Sequence, residues 1–387
     1  MYTYCCLNNI SQIGLKHFHE NFEEVHETEP SDAILVRSAN MKEMEFDPML
    51  KCIARAGAGV NNIPLERCAD QGIVVFNTPG ANANGVKELV VAGMLLASRD
   101  IVGGIEWLEQ QEITDDLQKR AEKQKKQFAG SEIAGKKLGI IGLGAIGVMV
   151  ANTAVALGME VHGYDPYLSL KAAWNLSSNI KYVQDVTDIY RECDFITMHV
   201  PLNDGTKEMV NAEAFSMMKD GTVLLNFARD LLVSESALIN ALESGKLRKY
   251  VTDFVTPNIA KAPNTIITPH LGASTKESED NCAVMAVREV REYLKNGNIT
   301  NSVNYPSCDM GVCKTAGRIS VNHKNEPNML AQLTGVLGEE GVNVANVTNA
   351  SRGNWAYTML DTDSPLTEEI ADRIAGIGGV RKVRIIK

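Results

Sequence analysis

The sequence contains no apolar run of the roughly 18 residues that a membrane-spanning helix requires. Its polar start, with Asn8, Asn9, Ser11 and Gln12, also lacks the basic end and apolar centre of a secretory signal. These two absences predict a protein that stays in the cytoplasm and has no membrane partner.

Positive charge is scarce, because 38 Lys and Arg residues face 48 Asp and Glu residues and the net charge is -10. Nucleic-acid binding requires a basic face that neutralises phosphates, so the charge balance argues against a nucleic-acid partner. An anionic small substrate is still compatible with this charge, provided that arginines or lysines are placed locally at its site.

Paired cysteines are missing as well. The eight cysteines form no C-x-x-C pair and no evenly spaced framework, so the pattern indicates neither a zinc site nor a disulfide scaffold. We therefore predict free thiols and no bound metal.

What is present is ordinary globular composition, with 44% hydrophobic and 22% charged residues in 387 residues. This length exceeds the usual size of one domain and predicts two or three. Short apolar runs that alternate with helical stretches are typical of parallel α/β sheets. The predicted strands are 33–36, 52–54 and 73–76 in a first sheet, and 138–141, 160–164, 195–198, 223–226 and 265–268 in a second.

Two segments separate the predicted domains. Residues 112–128 are polar and predict an exposed helix before the second sheet. Residues 296–315 lack periodicity and predict a linker. From Gly317 the order strand, helix, strand, strand, helix, strand predicts a small ferredoxin-like module. The fold class is therefore α/β, with two doubly wound parallel-sheet domains of Rossmann or flavodoxin type and a C-terminal module.

A glycine loop follows the strand at 138–141. Gly142, Gly144 and Gly147 form G-x-G-x-x-G, and a helical stretch follows directly. In this context the glycines permit a tight turn, close approach of the backbone to a pyrophosphate, and close helix packing, while the helix N-terminus presents N–H groups to the anion. The motif predicts a dinucleotide site that includes Ala145 and Ile146.

Asp165 ends the next strand, 18 residues after Gly147, near the spacing of the acid that binds the adenosine ribose. Its carboxylate would accept hydrogen bonds from the ribose hydroxyls and repel a 2′-phosphate. The predicted cofactor is therefore NAD rather than NADP.

Two further reactive side chains follow strands of the second sheet, where ligands collect in such folds. They are Arg229 in Asn226-Phe-Ala-Arg229 and His270 in Thr268-Pro-His270. Taken singly, each is also compatible with a surface charge or a structural histidine.

Seven segments together resemble the D-isomer-specific 2-hydroxyacid dehydrogenase family, and most closely its members that oxidise 3-phospho-D-glycerate. The likeness covers nearly the whole chain. The segments are Arg55-Ala-Gly-Ala-Gly-Val-Asn-Asn, Asn77-Thr-Pro-Gly, Gly142-Leu-Gly-Ala-Ile-Gly, Tyr164-Asp-Pro-Tyr, Cys193-Asp-Phe-Ile-Thr-Met-His-Val-Pro, Asn226-Phe-Ala-Arg and Thr268-Pro-His-Leu-Gly-Ala-Ser-Thr.

The resemblance implies a role for each matching residue. Arg229 holds the substrate carboxylate and polarises the C2 oxygen, and His270 takes the hydroxyl proton while hydride leaves C2. The loop at Arg55 receives the substrate carboxylate, with Arg55 and, less strongly, Arg37 near its phosphate. The remaining implied substrate residues are Gly57, Ala58, Gly59 and Asn77, and the remaining implied cofactor residues are Val200, Pro201, Phe227 and Asp253.

The sequence departs from the family at His270. The glutamate that orients the catalytic histidine is absent from Asp253-Phe-Val-Thr-Pro257, and Asp230 replaces a glycine after Arg229. We hypothesise that His270 works without this glutamate or with a carboxylate such as Asp230 or Asp253; alternatively, this subgroup has only shortened a loop.

The C-terminal module resembles an ACT domain, a fold that binds amino acids. His323, Asn325 and Asn343 match family residues that bind L-serine, although Asn328 replaces a glycine of the family. The resemblance implies serine as a regulator, and the alternative is a module that only dimerises. The implied domains are 1–98 with 282–304 for substrate, 99–281 for NAD and 316–387 for the ACT domain.

The expected function is therefore NAD-dependent oxidation of 3-phospho-D-glycerate, the first step of serine synthesis, by a homodimer or homotetramer. A reductase of glyoxylate, hydroxypyruvate or another 2-oxo acid is the alternative, because it shares the glycine loop, Arg229 and His270. An NAD-sensing co-repressor is a third hypothesis from a different class of protein.

Overall fold

The computed structural model describes residues Met1–Lys387, which form two compact units. Met1–Asn82 and Lys276–Lys387 make up the terminal unit, and Ala83–Thr275 make up the central unit. None of the helices combines the length and the apolar character needed to cross a membrane. All eight cysteines are free thiols, as predicted. The finer division into three domains stays a prediction.

The first part of the terminal unit is a five-stranded parallel sheet in the order β2-β1-β3-β4-β5. The three predicted strands are confirmed, and their apolar residues are buried on both faces, as in other parallel sheets. Prediction missed β1 and β2. The elements are β1 Tyr2–Cys6, α1 Gln12–Leu15, β2 Phe22–Glu24, β3 Ala33–Val36, β4 Cys52–Arg55, α2 Leu65–Asp70 and β5 Val74–Phe76.

The central unit is built on a seven-stranded parallel sheet, flanked by helices and by three short 3-10 turns at Lys125–Phe128, Asp230–Leu232 and Ile259–Lys261. Its elements are α3 Ala83–Ser98, α4 Ile101–Glu109, α5 Leu117–Gln124, β6 Lys137–Ile141, α6 Ala145–Ala156, β7 Glu160–Tyr164, α7 Leu170–Asn175, β8 Lys181–Tyr182, α8 Val186–Glu192, β9 Phe195–Met198, α9 Ala212–Met217, β10 Thr222–Asn226, α10 Glu235–Glu243, β11 Leu247–Thr252 and β12 Thr265–Ile267.

The strand order of this sheet is β12-β11-β10-β9-β6-β7-β8. The chain runs outward from β6 to β7 and β8 and then crosses to β9, so the order reverses beside β6. Such a reversal opens a crevice at the carboxyl ends of the strands, where doubly wound sheets bind ligands. All five predicted strands are confirmed; β8 and β11 were missed.

The last part of the terminal unit begins with a long helix and continues as a four-stranded antiparallel sheet, in the order β14-β15-β13-β16. The predicted strand and helix order of the module is confirmed. The elements are α11 Lys276–Asn296, β13 Gly317–Lys324, α12 Met329–Glu339, β14 Val344–Arg352, β15 Trp355–Thr362, α13 Glu368–Ala375 and β16 Val380–Ile385.

The antiparallel sheet packs on α11 and shares one apolar core with the parallel sheet of the terminal unit. Tyr357 on β15 donates a hydrogen bond to the carbonyl of Gly297 at 2.7 Å. Arg384 on β16 is buried, donates to the carbonyls of Tyr293 and Leu294, and lies 4.4 Å from the Tyr293 ring. A cation at the C-terminal end of a helix is favoured by the helix dipole, so Arg384 ties the module to α11.

The predicted linker 296–315 contains no helix or long strand, but it is packed rather than solvated. The buried Asn304 accepts a hydrogen bond from Val75 N and donates one to the Ile73 carbonyl. Its side-chain amide thus continues the hydrogen bonding of the parallel sheet beyond the edge strand β5, which fixes this segment to the terminal unit.

Candidate active site

The glycine loop joins β6 to α6. Gly142 has a φ of 95°, which favours glycine, and a side chain there would also meet the carbonyl oxygen of His199. A side chain at Gly147 would collide with the Gly142 carbonyl, whereas a Cβ at Gly144 would meet nothing within 4 Å. Gly144 and Ala145 are exposed, and no side chain caps the first turn of α6. The loop therefore offers an open cradle with free N–H groups, which suits a dinucleotide pyrophosphate.

Asp165 stands at the end of β7 and braces this loop. Its carboxylate accepts hydrogen bonds from Leu143 N and Tyr167 N, both at 2.8 Å. Each carboxylate oxygen has a second lone pair, and the residue is half-buried, so it can still accept a ribose hydroxyl. The donor set of the loop and this carboxylate fit NAD.

The other cofactor candidates lie at neighbouring strand ends. Val200 and the exposed Pro201 follow β9, and Val200 lies beside Gly142. Ile146 is half-buried in the first turn of α6. Phe227 follows β10, but its ring is buried in the core of the central unit, so only its backbone is placed to contact a ligand.

Arg229 follows β10 and is held by a residue that sequence reasoning had not singled out. The buried Asn226 donates to the Arg229 carbonyl at 2.8 Å and accepts from Ala228 N. This side chain closes the turn that presents the half-buried guanidinium of Arg229. A buried polar residue at a strand end was the available signal.

His270 follows β12 and is exposed. Its backbone φ is 56°, in the left-handed region, and its ring meets Phe254 edge-on with the centroids 5.3 Å apart. No carboxylate bonds to the ring in the structure. Asp253 accepts from Thr268 Oγ1, Leu271 N and Gly272 N instead, and the side chain of the exposed Asp230 makes no hydrogen bond.

Another histidine of the central unit has a different character. Burial lowers the pKa of His199 to about 3, so its imidazole is neutral at physiological pH. Its Nε2 lies 3.1 Å from Thr197 Oγ1, and its backbone bridges to β6. His199 is thus a structural residue, which leaves His270 as the exposed histidine at this edge of the sheet.

In the terminal unit, the loop from Arg55 to Gly59 follows β4. The Arg55 guanidinium lies over Gly57, and its Nε donates to the Arg37 carbonyl at 3.1 Å. Asn77, after β5, donates to the Ala58 carbonyl at 2.7 Å and so supports the loop. The N–H groups of Ala58 and Gly59 have no acceptor in the structure, which leaves them free for an anion.

Arg37, the other arginine implied near the phosphate, is paired with an acid. Its guanidinium forms an ion pair with Glu279 at 2.7 Å, and both side chains are partly exposed. Arg37 therefore has a protein partner for its charge.

The three residues implied in serine binding are not gathered within one chain. His323 is buried near one end of the antiparallel sheet, where Nε2 lies 2.8 Å from Thr358 Oγ1 and Nδ1 lies 2.7 Å from the Lys324 carbonyl. Burial lowers the pKa of His323 below its ordinary value. Asn325 is exposed at this end, whereas Asn343 lies at the other end, directly before Val344. On β15 the partner of His323 is Ala356 and the partner of Val344 is Thr362, six residues later and about 20 Å away.

Asn328 stands where the family has a glycine. Asn328 adopts a φ of 68° before α12, a left-handed conformation that asparagine tolerates better than most residues. The substitution therefore preserves the backbone turn.

The candidate cofactor and catalytic residues of the central unit thus share one edge of the sheet, at the carboxyl ends of six strands. Residues 91–272 match the family model described as the NAD binding domain of D-isomer specific 2-hydroxyacid dehydrogenases. Over 275 residues the chain is 35% identical to a hydroxypyruvate reductase of Thermotoga maritima, covering 68% of this chain and 85% of that enzyme. The chain belongs to the D-isomer specific 2-hydroxyacid dehydrogenase family. NAD is therefore the cofactor expected by both motif and family.

Two other members of this dehydrogenase family are similar. A D-3-phosphoglycerate dehydrogenase of Methanocaldococcus jannaschii is 35% identical over 294 residues, which cover 74% of this chain and 54% of that enzyme. The chain thus spans about half the length of that relative. The structure of NAD+-bound 3-phosphoglycerate dehydrogenase from Entamoeba histolytica matches with a TM-score of 0.60 and 26% identity, covering 78% of this chain and 98% of that one.

Cofactor preference tests Asp165. We expect kcat/KM with NAD to exceed that with NADP by roughly 100-fold, because the Asp165 carboxylate has no cationic partner and repels the 2′-phosphate. Asp165→Asn should narrow this ratio, whereas Glu213→Gln, at an exposed acid of the same unit, should leave it unchanged. Steady-state kinetics with both cofactors measure the ratio, and a wild-type preference for NADP would contradict this role.

Proposed function

We propose that this chain oxidises 3-phospho-D-glycerate to 3-phosphohydroxypyruvate with NAD. The observation that carries the proposal is the placement of Arg229 and His270 at the ends of β10 and β12, on the sheet edge that bears the dinucleotide loop. A permanent forked cation and an exposed imidazole are the two groups that oxidation of a 2-hydroxy acid requires.

The proposed reaction transfers a hydride and a proton from the substrate. The C2 hydrogen leaves with its electron pair, the hydroxyl proton passes to His270, and the C2–O bond becomes a carbonyl. Bound NAD supplies the acceptor for the hydride. Arg229 binds the carboxylate and stabilises charge on the C2 oxygen, and Asn226 holds the turn from which it projects. In the reverse direction His270 returns the proton to the oxygen.

The loop of the terminal unit is assigned to the substrate carboxylate, and its first residue, Arg55, to the substrate phosphate. The free N–H groups of Ala58 and Gly59 are suited to a carboxylate, and the guanidinium of Arg55, which lies over Gly57, is suited to a phosphate. Arg37 is a weaker candidate, because its guanidinium is paired with Glu279.

Arg55→Ala tests this assignment. We expect KM for 3-phosphoglycerate to rise by roughly 10- to 100-fold, since a lost charge-assisted hydrogen bond costs about 1.5–3 kcal/mol. The KM for glyoxylate reduction should rise less, because glyoxylate has no phosphate. Arg288→Ala, at an exposed arginine of the same unit without a bonded partner, is the matched control. An unchanged KM for 3-phosphoglycerate would remove Arg55 from the phosphate site.

A reductase of hydroxypyruvate or glyoxylate is the second candidate, and the likeness to the Thermotoga maritima hydroxypyruvate reductase favours it. A steady-state panel with NADH separates the two. Our proposal expects the highest kcat/KM with 3-phosphohydroxypyruvate, compared with hydroxypyruvate, glyoxylate and 2-oxoglutarate. A higher value for an unphosphorylated acid would support the second candidate, and no turnover of any acid would favour an NAD-sensing co-repressor.

We further propose that the C-terminal module is an ACT domain that binds L-serine between two copies of the chain. His323 and Asn325 lie at the opposite end of the sheet from Asn343, so a site containing all three would need two chains.

Helix α4 of the central unit supports assembly of the chain into an oligomer, because none of its residues is buried and it exposes Ile101, Val102, Ile105 and Leu108. Repeating the substrate panel with L-serine, for wild type and Asn325→Ala, tests the regulation; a wild type insensitive to serine would leave only a dimerising role.

A further inference from the structure

We infer that Asp253 and Phe254 together position His270 in place of a carboxylate bonded to its ring. Asp253 clamps the loop through the Thr268 side chain before the histidine and through two backbone N–H groups after it, and Phe254 supports the imidazole. This inference rests on the proposed acid-base role of His270. It assigns Asp253 to a loop clamp in addition to the contact with the nicotinamide that the family resemblance implies.

The clamp consists of three short hydrogen bonds. Asp253 Oδ1 accepts from Thr268 Oγ1 and from Leu271 N, and Oδ2 accepts from Gly272 N, all at 2.7 Å. Asp253 is only 3% exposed, so these bonds are shielded from competing water. The three donors lie on either side of His270, so the carboxylate fixes the segment from both directions.

The conformation of His270 explains why such a clamp is needed. Its φ of 56° is unfavourable for a residue with a side chain, so the loop holds this conformation only if its surroundings stabilise it. The bonds from His270 N to the Thr268 carbonyl and from Ser274 N to the Leu271 carbonyl tighten the same turn. A looser loop would let the imidazole leave the position from which it can take a proton.

Phe254 completes the arrangement. Its ring meets the imidazole at 71°, with the centroids 5.3 Å apart, an edge-to-face geometry that limits rotation of the histidine side chain. Phe254 is the neighbour of Asp253 in sequence, so one dipeptide at the end of β11 contacts both the backbone and the ring. Neither candidate carboxylate bonds to the imidazole, because the exposed side chain of Asp230 makes no hydrogen bond and both Asp253 oxygens are engaged with the loop.

The test combines kinetics with NMR of ¹³C-histidine-labelled protein, in which the His270 signal is identified by its loss in His270→Asn. In Asp253→Asn an amide group replaces an acceptor, so at least one loop N–H loses its partner. We expect kcat to fall by roughly 10- to 100-fold, NADH affinity to change by less than about threefold, and the acidic limb of the kcat/KM profile to keep its midpoint. Phe254→Leu should shift the His270 ring resonance by removing the ring current. Phe254→Tyr keeps an aromatic ring and should leave the resonance near its wild-type position.

Four results would overturn the inference. A displaced acidic limb in Asp253→Asn would make Asp253 a partner of the imidazole, and a displaced limb in Asp230→Asn would assign that role to Asp230. A loss explained by NADH affinity alone would reduce Asp253 to a cofactor ligand. An unmoved His270 resonance in both Asp253→Asn and Phe254→Leu would show that neither residue holds the loop. Since NMR needs no turnover, this result is distinguishable from a failure of the proposed activity.

Discussion

Replacing His270 with Asn is expected to lower kcat for 3-phosphoglycerate oxidation by roughly 10²- to 10⁴-fold, the usual contribution of a positioned acid-base group. Asparagine is similar in size and can still hydrogen-bond a substrate, but it cannot accept the hydroxyl proton at neutral pH. The loss should therefore appear in kcat rather than in KM. Steady-state kinetics in both directions measure it, and the loss should be similar in each, because the same group takes and returns the proton.

Two measurements make this result specific to the chemistry. NADH binding, followed by fluorescence titration, should be close to wild type in His270→Asn, because His270 is separate from the glycine loop and Asp165. His19→Asn, at an exposed histidine of the terminal unit whose side chain makes no hydrogen bond, should retain full activity. A kcat for His270→Asn within about threefold of wild type would refute the catalytic assignment.

The second large effect is on stability and concerns Glu289, on α11. This carboxyl is only 5% exposed, although it borders a pocket of about 450 Å³, and burial raises its pKa from 4.5 to about 8. Oε1 accepts a hydrogen bond from Asn301 at 2.6 Å, whereas Oε2 has no partner. The folded protein therefore favours the neutral form of this group.

The sign of the pH dependence follows from this shift. Between pH 4.5 and about 8 the unfolded chain ionises Glu289 while the folded chain keeps it protonated, so ionisation favours unfolding and stability falls as pH rises. Glu289→Gln cannot ionise and should lose this dependence. The free energy of unfolding of Glu289→Gln minus that of wild type should therefore increase as the pH rises from 4.5 to about 8. The total increase should not exceed about 5 kcal/mol.

Thermal or urea unfolding at pH 5, 7 and 9 measures the difference between the two proteins. Glu292→Gln, at an exposed glutamate on the same helix and the same pocket, is the matched control and should leave the pH dependence as in wild type. A Glu289→Gln variant whose stability relative to wild type stayed constant from pH 5 to pH 9 would contradict the raised pKa.

The missed strands show where sequence patterns are weak. β2 is an edge strand of three residues with two exposed glutamates, so it lacks an apolar run. β11 carries Arg248 and Lys249 near its start, and these charged residues interrupt the apolar pattern expected of a central strand. In the structure Arg248 lies over the Phe195 ring, 5.8 Å from its centroid. The pairing of β11 with β10 and β12 joins residues distant in sequence. Local patterns do not record such pairing.

The linker prediction was incomplete for a related reason. Composition indicated an irregular segment at 296–315, but it did not indicate that Asn304 would hydrogen-bond to the edge of β5, more than 200 residues earlier in the chain. The same limit applies to Arg384, whose burial against α11 depends on tertiary packing.

The sequence alone determined the residues of the candidate site, because a glycine loop, Asp165, Arg229 and His270 each stand directly after an apolar strand, and parallel strands bring such ends to one edge. It also showed that the family's glutamate is missing. Only the tertiary structure decided which contacts surround His270, since the bonds of Asp253 to Thr268, Leu271 and Gly272 depend on how β11 and β12 pair. Hydrogen bonds between neighbouring strands are set by three-dimensional register, and a linear pattern carries no record of it.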